Sequence, residues 1–419
     1  MKILVVSNLY PPDIVGGAEV LAERLCSSLA TRHTVSVLTT RGQPGPPVDE
    51  LQNGVRVRRI WPGGLFLPTA GTPFLRHWSR QITAHVRDLY NPHVARAVQQ
   101  LAEEIRPDLL HTHNLYGLSP SAWSAARRSG LPVCHTAHDA YLLCPRGVLY
   151  HGQRTGGPLL RLYRAWYRAQ VAQVDLLVVP SHHHLDLHLR YGMRARDSRI
   201  IFNGRPGGES PERDRPTRKS GPLRVLYLGQ MERHKGVRTL LEAVELCQRD
   251  GVALRVDMAG RGRLRPEVQA AMARGAPIVD HGFVTGTAKN DLFKKADVLL
   301  YPSLVLESAP LAILEAFSAH LPVITTAIGG QQEYARPGRA GFLFPPGDAT
   351  ALANLLKRLA DAPEQLRDLK PGMLEAAEDA RFDLMVSRYE EAYADLRKAR
   401  QGSLCDQAHS GASCSGEAG

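Results

Sequence analysis

The chain has 419 residues, 43% of them hydrophobic, and a formal net charge of +11. That length exceeds what one core supports and predicts two domains, while no apolar run is long enough to span a bilayer. Cys26, Cys134, Cys144, Cys247, Cys405 and Cys414 form no C-x-x-C pair and follow no metal-ligand spacing, which fits reduced thiols and argues against a disulfide framework or zinc site.

The N-terminal apolar run is broken by Asn8 and Pro11 too early for a signal peptide, so a cytoplasmic location is expected. The charge is uneven. Residues 1–202 hold 23 Lys plus Arg against 13 Asp plus Glu, and all but Lys2 of those cations are Arg. This half should meet something anionic, such as a phosphate-linked acceptor, a membrane surface or nucleic acid.

In chain order, residues 3–7 read as a buried parallel strand, followed by a loop with Pro11, Pro12, Gly16 and Gly17 and a helix over about 18–30. Residues 35–39 repeat the strand pattern. An irregular Pro/Gly-rich stretch follows, then a helical segment at 94–105 and strands at 108–112, 131–135 and 176–180. Such alternation predicts a doubly wound α/β domain over 1–202. Residues 203–221, nearly without apolar side chains, read as a linker.

A second α/β series over 222–381 has strands at 223–228, 254–258, 277–280, 298–301 and 322–325. Residues 382–400 predict one last helix, and 401–419, rich in Ser, Gly and Ala, read as a disordered tail.

Residues 306–316, LESAPLAILEA, place Glu307 in the loop before a helix that Pro310 starts, and Glu315 about a turn and a half inside it. Unpaired amides at that helix start, Leu311 and Ala312 among them, attract anions, and Ser308 lies beside them. One carboxylate at the rim, one deeper and amides between suit a ligand with both hydroxyls and phosphate. Gly16 and Gly17 let a second backbone segment approach a phosphate. Lys235, in YLGQMERHKGV after the first strand of the second domain, can neutralise a diphosphate leaving group.

The 306–316 stretch resembles the signature of the family 4 retaining glycosyltransferases, which have the GT-B fold of two Rossmann-like, doubly wound domains facing across a cleft. The resemblance continues in register through AGRGRL at 259–264, GFV at 282–284, YPS at 301–303, IGGQQEY at 328–334 and GRAGFLFPPGD at 338–348. It implies that Glu315 binds the nucleotide ribose, Glu307 faces the donor sugar and the Gly17 amide contacts the donor diphosphate. The loop around Phe283 and Val284 would hold the base through its backbone. HDAYLLCPRG at 138–147 is similar to a subset that builds capsular and other polysaccharides, where the residue matching His138 faces the reacting sugar. The last helix, 382–400, would cross back to the first domain.

Two departures stand out. Gln230 replaces the family's usual Arg, so Arg233 or Arg261 is expected to stand in, and His320 replaces a glycine, with an effect on packing. No two Asp are two residues apart, so no D-x-D metal site, no divalent ion and no other cofactor are expected. The partners implied are a nucleotide-sugar donor and a saccharide acceptor, lipid-linked as the first expectation from the polysaccharide subset and a soluble small molecule as the alternative.

Rival readings are weaker. G-x-G-x-x-G is absent, because Gly260-Arg261-Gly262 lacks a third glycine at Arg265, which counts against a dinucleotide enzyme. A non-catalytic sugar- or nucleic-acid-binding module would not need Lys235, the glycine loop and both Glu in register, and no nucleic acid is expected. A phosphorylase would need a pyridoxal lysine motif, which is not seen. His182, His183, His184 and His188 read as a solvated helix start after Ser181, since Asp186 does not replace the Glu of a zinc protease motif. Arg161, Arg164 and Arg168, beside Leu159, Leu162, Tyr163 and Trp166, read as a basic helix that either docks on an anionic membrane at its inner face or packs as an ordinary solvated face.

Overall fold

The computed structural model describes residues 1–63, 88–152, 156–205 and 221–412, with 402–412 described by backbone alone. Among them, the first sheet contains β1 (Lys2–Val6), β2 (Thr34–Thr40), β3 (Val48–Gln52), β4 (Val55–Ile60), β5 (Leu109–Thr112), β6 (Val133–Thr136), β7 (Leu176–Val179) and β8 (Asp197–Ile200). Its order is β3-β4-β2-β1-β5-β6-β7-β8, and every pairing is parallel except β3 with β4. The second sheet contains β9 (Leu223–Leu228), β10 (Leu254–Ala259), β11 (Ile278–Asp280), β12 (Val298–Tyr301), β13 (Val323–Thr326) and β14 (Gly341–Phe344), all parallel in the order β11-β10-β9-β12-β13-β14.

Side chains alternate across each strand, so β1 sends Leu4 and Val6 into one core with Trp123 and Ile3 and Val5 into another on the opposite face. Tyr389 and Tyr393 of the last helix, Phe382–Ala412, fill that second core. The second sheet is covered on both faces in the same way. Central parallel strands buried on both faces read as continuous apolar runs, which is why they were legible.

The stretch expected to be irregular contains the β3–β4 hairpin. Asn53 and Gly54 close it with φ of 49° and 79°, and positive φ at both central residues is what a two-residue I′ turn requires. The expected disordered tail also needs correction: the last helix continues to Ala412, because extending a formed helix fixes one residue per added hydrogen bond. Residues 413–419, and 206–220 of the expected linker, lie outside the described residues. Where the chain leaves the first domain, a Cβ on Gly204 would lie 2.6 Å from Phe382 Cα. Only glycine lets the two interdomain crossings pack this closely.

Candidate functional site

Each sheet reverses its winding at one point, between β1 and β5 in the first and between β9 and β12 in the second. In open α/β sheets, ligands bind outside the carboxyl ends of the strands at such points. The loop after β1 carries Gly16 and Gly17, and the residues after β5 and β6 include His113 and His138. The loops after β9 and β12 carry Lys235 and Glu307. Residues far apart in sequence therefore share one cleft.

The second-domain pair is in direct contact. Lys235 Nζ lies 2.6 Å from Glu307 Oε1 and 3.3 Å from Tyr301 Oη, and Ser303 Oγ donates to the same Oε1 at 2.8 Å. Burial opposes the ammonium charge, but Glu307 beside it lifts the Lys235 pKa above the usual lysine range. Burial likewise opposes the carboxylate, and Lys235 outweighs it, holding Glu307 below its ordinary value. Gly329 and Gly330 support this loop. A Cβ on Gly330 would lie 2.1 Å from Ser308 O, and one on Gly329 2.8 Å from Glu307 N. Close backbone packing thus accounts for the glycines of IGGQQEY.

Pro310 caps the helix Leu311–Ser318, leaving the amides of Leu311 and Ala312 without intrahelical acceptors. Gly17 meets this helix start from the other domain, where a Cβ on it would lie 2.5 Å from Leu311 Cδ1. The Gly16 amide donates to Glu19 at 2.7 Å, while the first-turn amides of Gly17 and Ala18 have no intrahelical acceptor. Ser308, expected on the donor, donates its hydroxyl to the His138 carbonyl, and Leu306 N donates to Leu149 O at 2.9 Å. The two domains are therefore joined at the cleft.

Glu315 accepts from Lys289 Nζ at 2.7 Å. Sequence reasoning missed Lys289, because nothing marks a lysine 26 positions upstream as that carboxylate's neighbour. Of the cations expected to replace the missing Arg, Arg233 is exposed, and the Arg261 guanidinium lies 4.7 Å from the Phe283 ring centroid. Gln230 itself is exposed. Val284 is half-buried against the second domain's core, while Phe283 stays 64% exposed at the mouth.

His138 is buried, and burial lowers its pKa to about 4, so the ring is neutral. Burial and the charge of Glu19 push the neighbouring Asp139 up to about 6. His184 and His188 do not form the solvated helix start expected of them. Both are buried, with His184 Nε2 donating to Asp139 O at 3.0 Å and His188 Nδ1 to His184 O at 2.8 Å. Among the described residues, no group of three or more His, Cys, Asp or Glu is placed to hold a metal ion.

The basic helix Pro158–Val171 also needs one correction. Arg164 is buried, donating to Leu143 O at 2.9 Å with its guanidinium 3.9 Å from the Tyr191 ring centroid. Arg161 and Arg168 remain exposed, beside Leu159, Leu162 and Trp166 at 83%, 69% and 37% exposure.

Two family models match the chain, Glycosyltransferase Family 4 over residues 15–206 and Glycosyl transferases group 1 over 222–362. An uncharacterized 42.6 kDa protein in the cps region of Klebsiella pneumoniae is 24% identical over 80% of this chain and 88% of its own. The D-inositol 3-phosphate glycosyltransferase of Thermomonospora curvata is 28% identical over 90% of each. The crystal structure of Anabaena HepE in complex with UDP superposes with a TM-score of 0.68 at 18% identity, over 94% of this chain and all of that one. The shared architecture is GT-B.

Proposed function

The chain belongs to the family 4, group 1 glycosyltransferases, nucleotide-sugar-dependent enzymes, and from that premise we propose a specific reaction. It moves a sugar, with retention at the anomeric carbon, from its donor to a lipid-linked saccharide in cell-surface polysaccharide synthesis. The observation that carries this reading is the meeting of Gly17 with the helix start at Leu311, beside the Lys235–Glu307 pair and the Ser308–His138 contact. Amides from both domains and two lysine–carboxylate pairs, Lys235–Glu307 and Lys289–Glu315, thereby line a single cleft in this reading.

The amides of Gly17, Leu311 and Ala312 and the ammonium of Lys235 meet the diphosphate charge as it develops on the leaving group. Glu315 accepts from the ribose hydroxyls, and Glu307 orients the donor sugar. The acceptor oxygen attacks on the face from which the phosphate departs. Its proton passes to the departing phosphate oxygen, the new glycosidic bond forms, and a nucleoside diphosphate leaves. No divalent ion is required in this scheme.

A lipid-linked acceptor is supported by the exposed face of the helix Pro158–Val171, where Leu159, Leu162 and Trp166 stand with Arg161 and Arg168. Apolar side chains flanked by cations suit an anionic membrane surface. Among the described residues no helix is long and apolar enough to cross a membrane, so the proposed association is peripheral. The relative from a cps region supports a polysaccharide role, whereas the inositol 3-phosphate relative favours a soluble acceptor as the second reading.

The deciding experiment supplies UDP-, ADP- and GDP-sugars with lipid-linked and soluble acceptors, in buffer and in EDTA. Equal molar release of nucleoside diphosphate and glycosylated lipid, unchanged by EDTA, is expected. Transfer confined to soluble acceptors, or product of inverted configuration, would overturn the proposal.

A further inference from the structure

His113 immediately follows β5, and His138 stands two residues beyond β6. Their rings are nearly parallel, at 14° with centroids 5.1 Å apart, and His113 Nδ1 lies 2.8 Å from His138 Nε2. Burial pushes both rings below the ordinary histidine range, so each is neutral and carries one N–H.

Only two arrangements of those two protons make the hydrogen bond. If His138 donates from Nε2, the His113 proton must sit on its own Nε2, which is buried without a partner. If His113 donates from Nδ1, the same buried Nε2 is a bare acceptor. A buried donor without an acceptor is rarer in folded proteins than an acceptor lacking a donor, so the second arrangement is favoured. His138 then carries its own proton on Nδ1, an atom with no partner among the described residues and therefore available to a ligand.

We infer that His113 is a positioning residue that holds His138 as the Nδ1–H tautomer, so that His138 presents a hydrogen-bond donor to the reacting sugar. The inference rests on the reading of this cleft as the transfer site and deepens it. With Nδ1 protonated and Nε2 occupied by His113, His138 has no lone pair for the acceptor's proton. That proton goes to the departing phosphate oxygen.

The test uses the full-length enzyme labelled with 15N-histidine. Long-range 1H–15N correlation identifies the protonated nitrogen of each ring, and the signal lost in His138→Gln assigns His138. The wild type should show His138 protonated on Nδ1. His113→Leu removes the donor and should shift His138 toward Nε2–H, lowering kcat about tenfold, the cost of one hydrogen bond, at unchanged donor KM. His113→Asn keeps an amide donor near the position of Nδ1 and should restore both tautomer and kcat. A wild-type His138 protonated on Nε2, or His113→Leu with the wild-type tautomer and kcat, would overturn the inference. The tautomer is read without donor or acceptor. A chain that transfers no sugar would therefore sink the proposed function and leave this assignment intact.

Discussion

Lys235 Nζ stands 2.6 Å from Glu307 Oε1, so the cation expected for the diphosphate and the carboxylate expected to face the donor sugar form one ion pair. Each neutralises the other in this structure. Their side chains are 19% and 17% exposed, so removing one partner leaves a largely buried charge. Lys235→Ala should therefore cost stability as well as turnover, by about 3 kcal/mol if the site stays dry. The double variant Lys235→Ala/Glu307→Gln should be less destabilised than the two single changes summed, as a thermal or denaturant cycle would reveal. Additive losses would mean the pair is not coupled. Because the Glu307 carboxyl is held below its usual value, its contribution is present above about pH 4.5 and is lost as pH falls through the lower folded value.

Glu315→Ala should weaken donor binding by roughly 1 to 3 kcal/mol, because in the proposed reading two ribose hydroxyls lose their acceptor. Its present partner, Lys289 at 2.7 Å, has to share or yield the carboxylate when ribose enters. Calorimetry with the productive donor measures the difference directly, and an unchanged affinity would place the ribose elsewhere.

The sequence made the central strands and the Glu307–Glu315 stretch legible because their signals are local: continuous apolar runs, a proline at a helix start, a fixed spacing. The β3–β4 hairpin was equally local, with Asn53-Gly54 at its turn, but β3 is the edge strand and β4 lies next to it, and charged side chains interrupt the apolar pattern of both. What local signals could not convey was pairing across the fold. Lys289 on Glu315, Ser308 on His138 and the burial of Arg164, His184 and His188 all depend on which surfaces meet. A histidine or arginine run looks solvated until another element covers it.

His320 holds φ at 51°, the left-handed region that a glycine occupies without penalty, which fits the glycine the family resemblance leads one to expect here. His320 is also buried, so any replacement loses its packing. Comparing two truncations removes that common loss. His320→Gly should be more stable than His320→Ala by about 1 kcal/mol, since alanine keeps the left-handed strain and glycine does not. Equal unfolding midpoints for the two would show that the backbone here relaxes away from positive φ.

The exposed face of the helix Pro158–Val171 sets the last prediction. Leu159, Leu162 and Trp166 project outward at 83%, 69% and 37% exposure, and the charge that accompanies them comes from Arg161 and Arg168, because Arg164 is buried. Two cations near an anionic surface contribute about 1 kcal/mol each, and the apolar side chains add area that water would otherwise cover. The wild type should therefore sediment with anionic vesicles at low salt, bind neutral vesicles less and release as salt rises. Leu162→Asp should abolish sedimentation while leaving transfer to a detergent-solubilised acceptor unchanged, since this side chain supports neither core nor cleft. Arg161→Glu/Arg168→Glu should remove the preference for anionic lipid. Equal, negligible binding of the wild type to both vesicle types would instead leave an ordinary solvated face and a soluble acceptor.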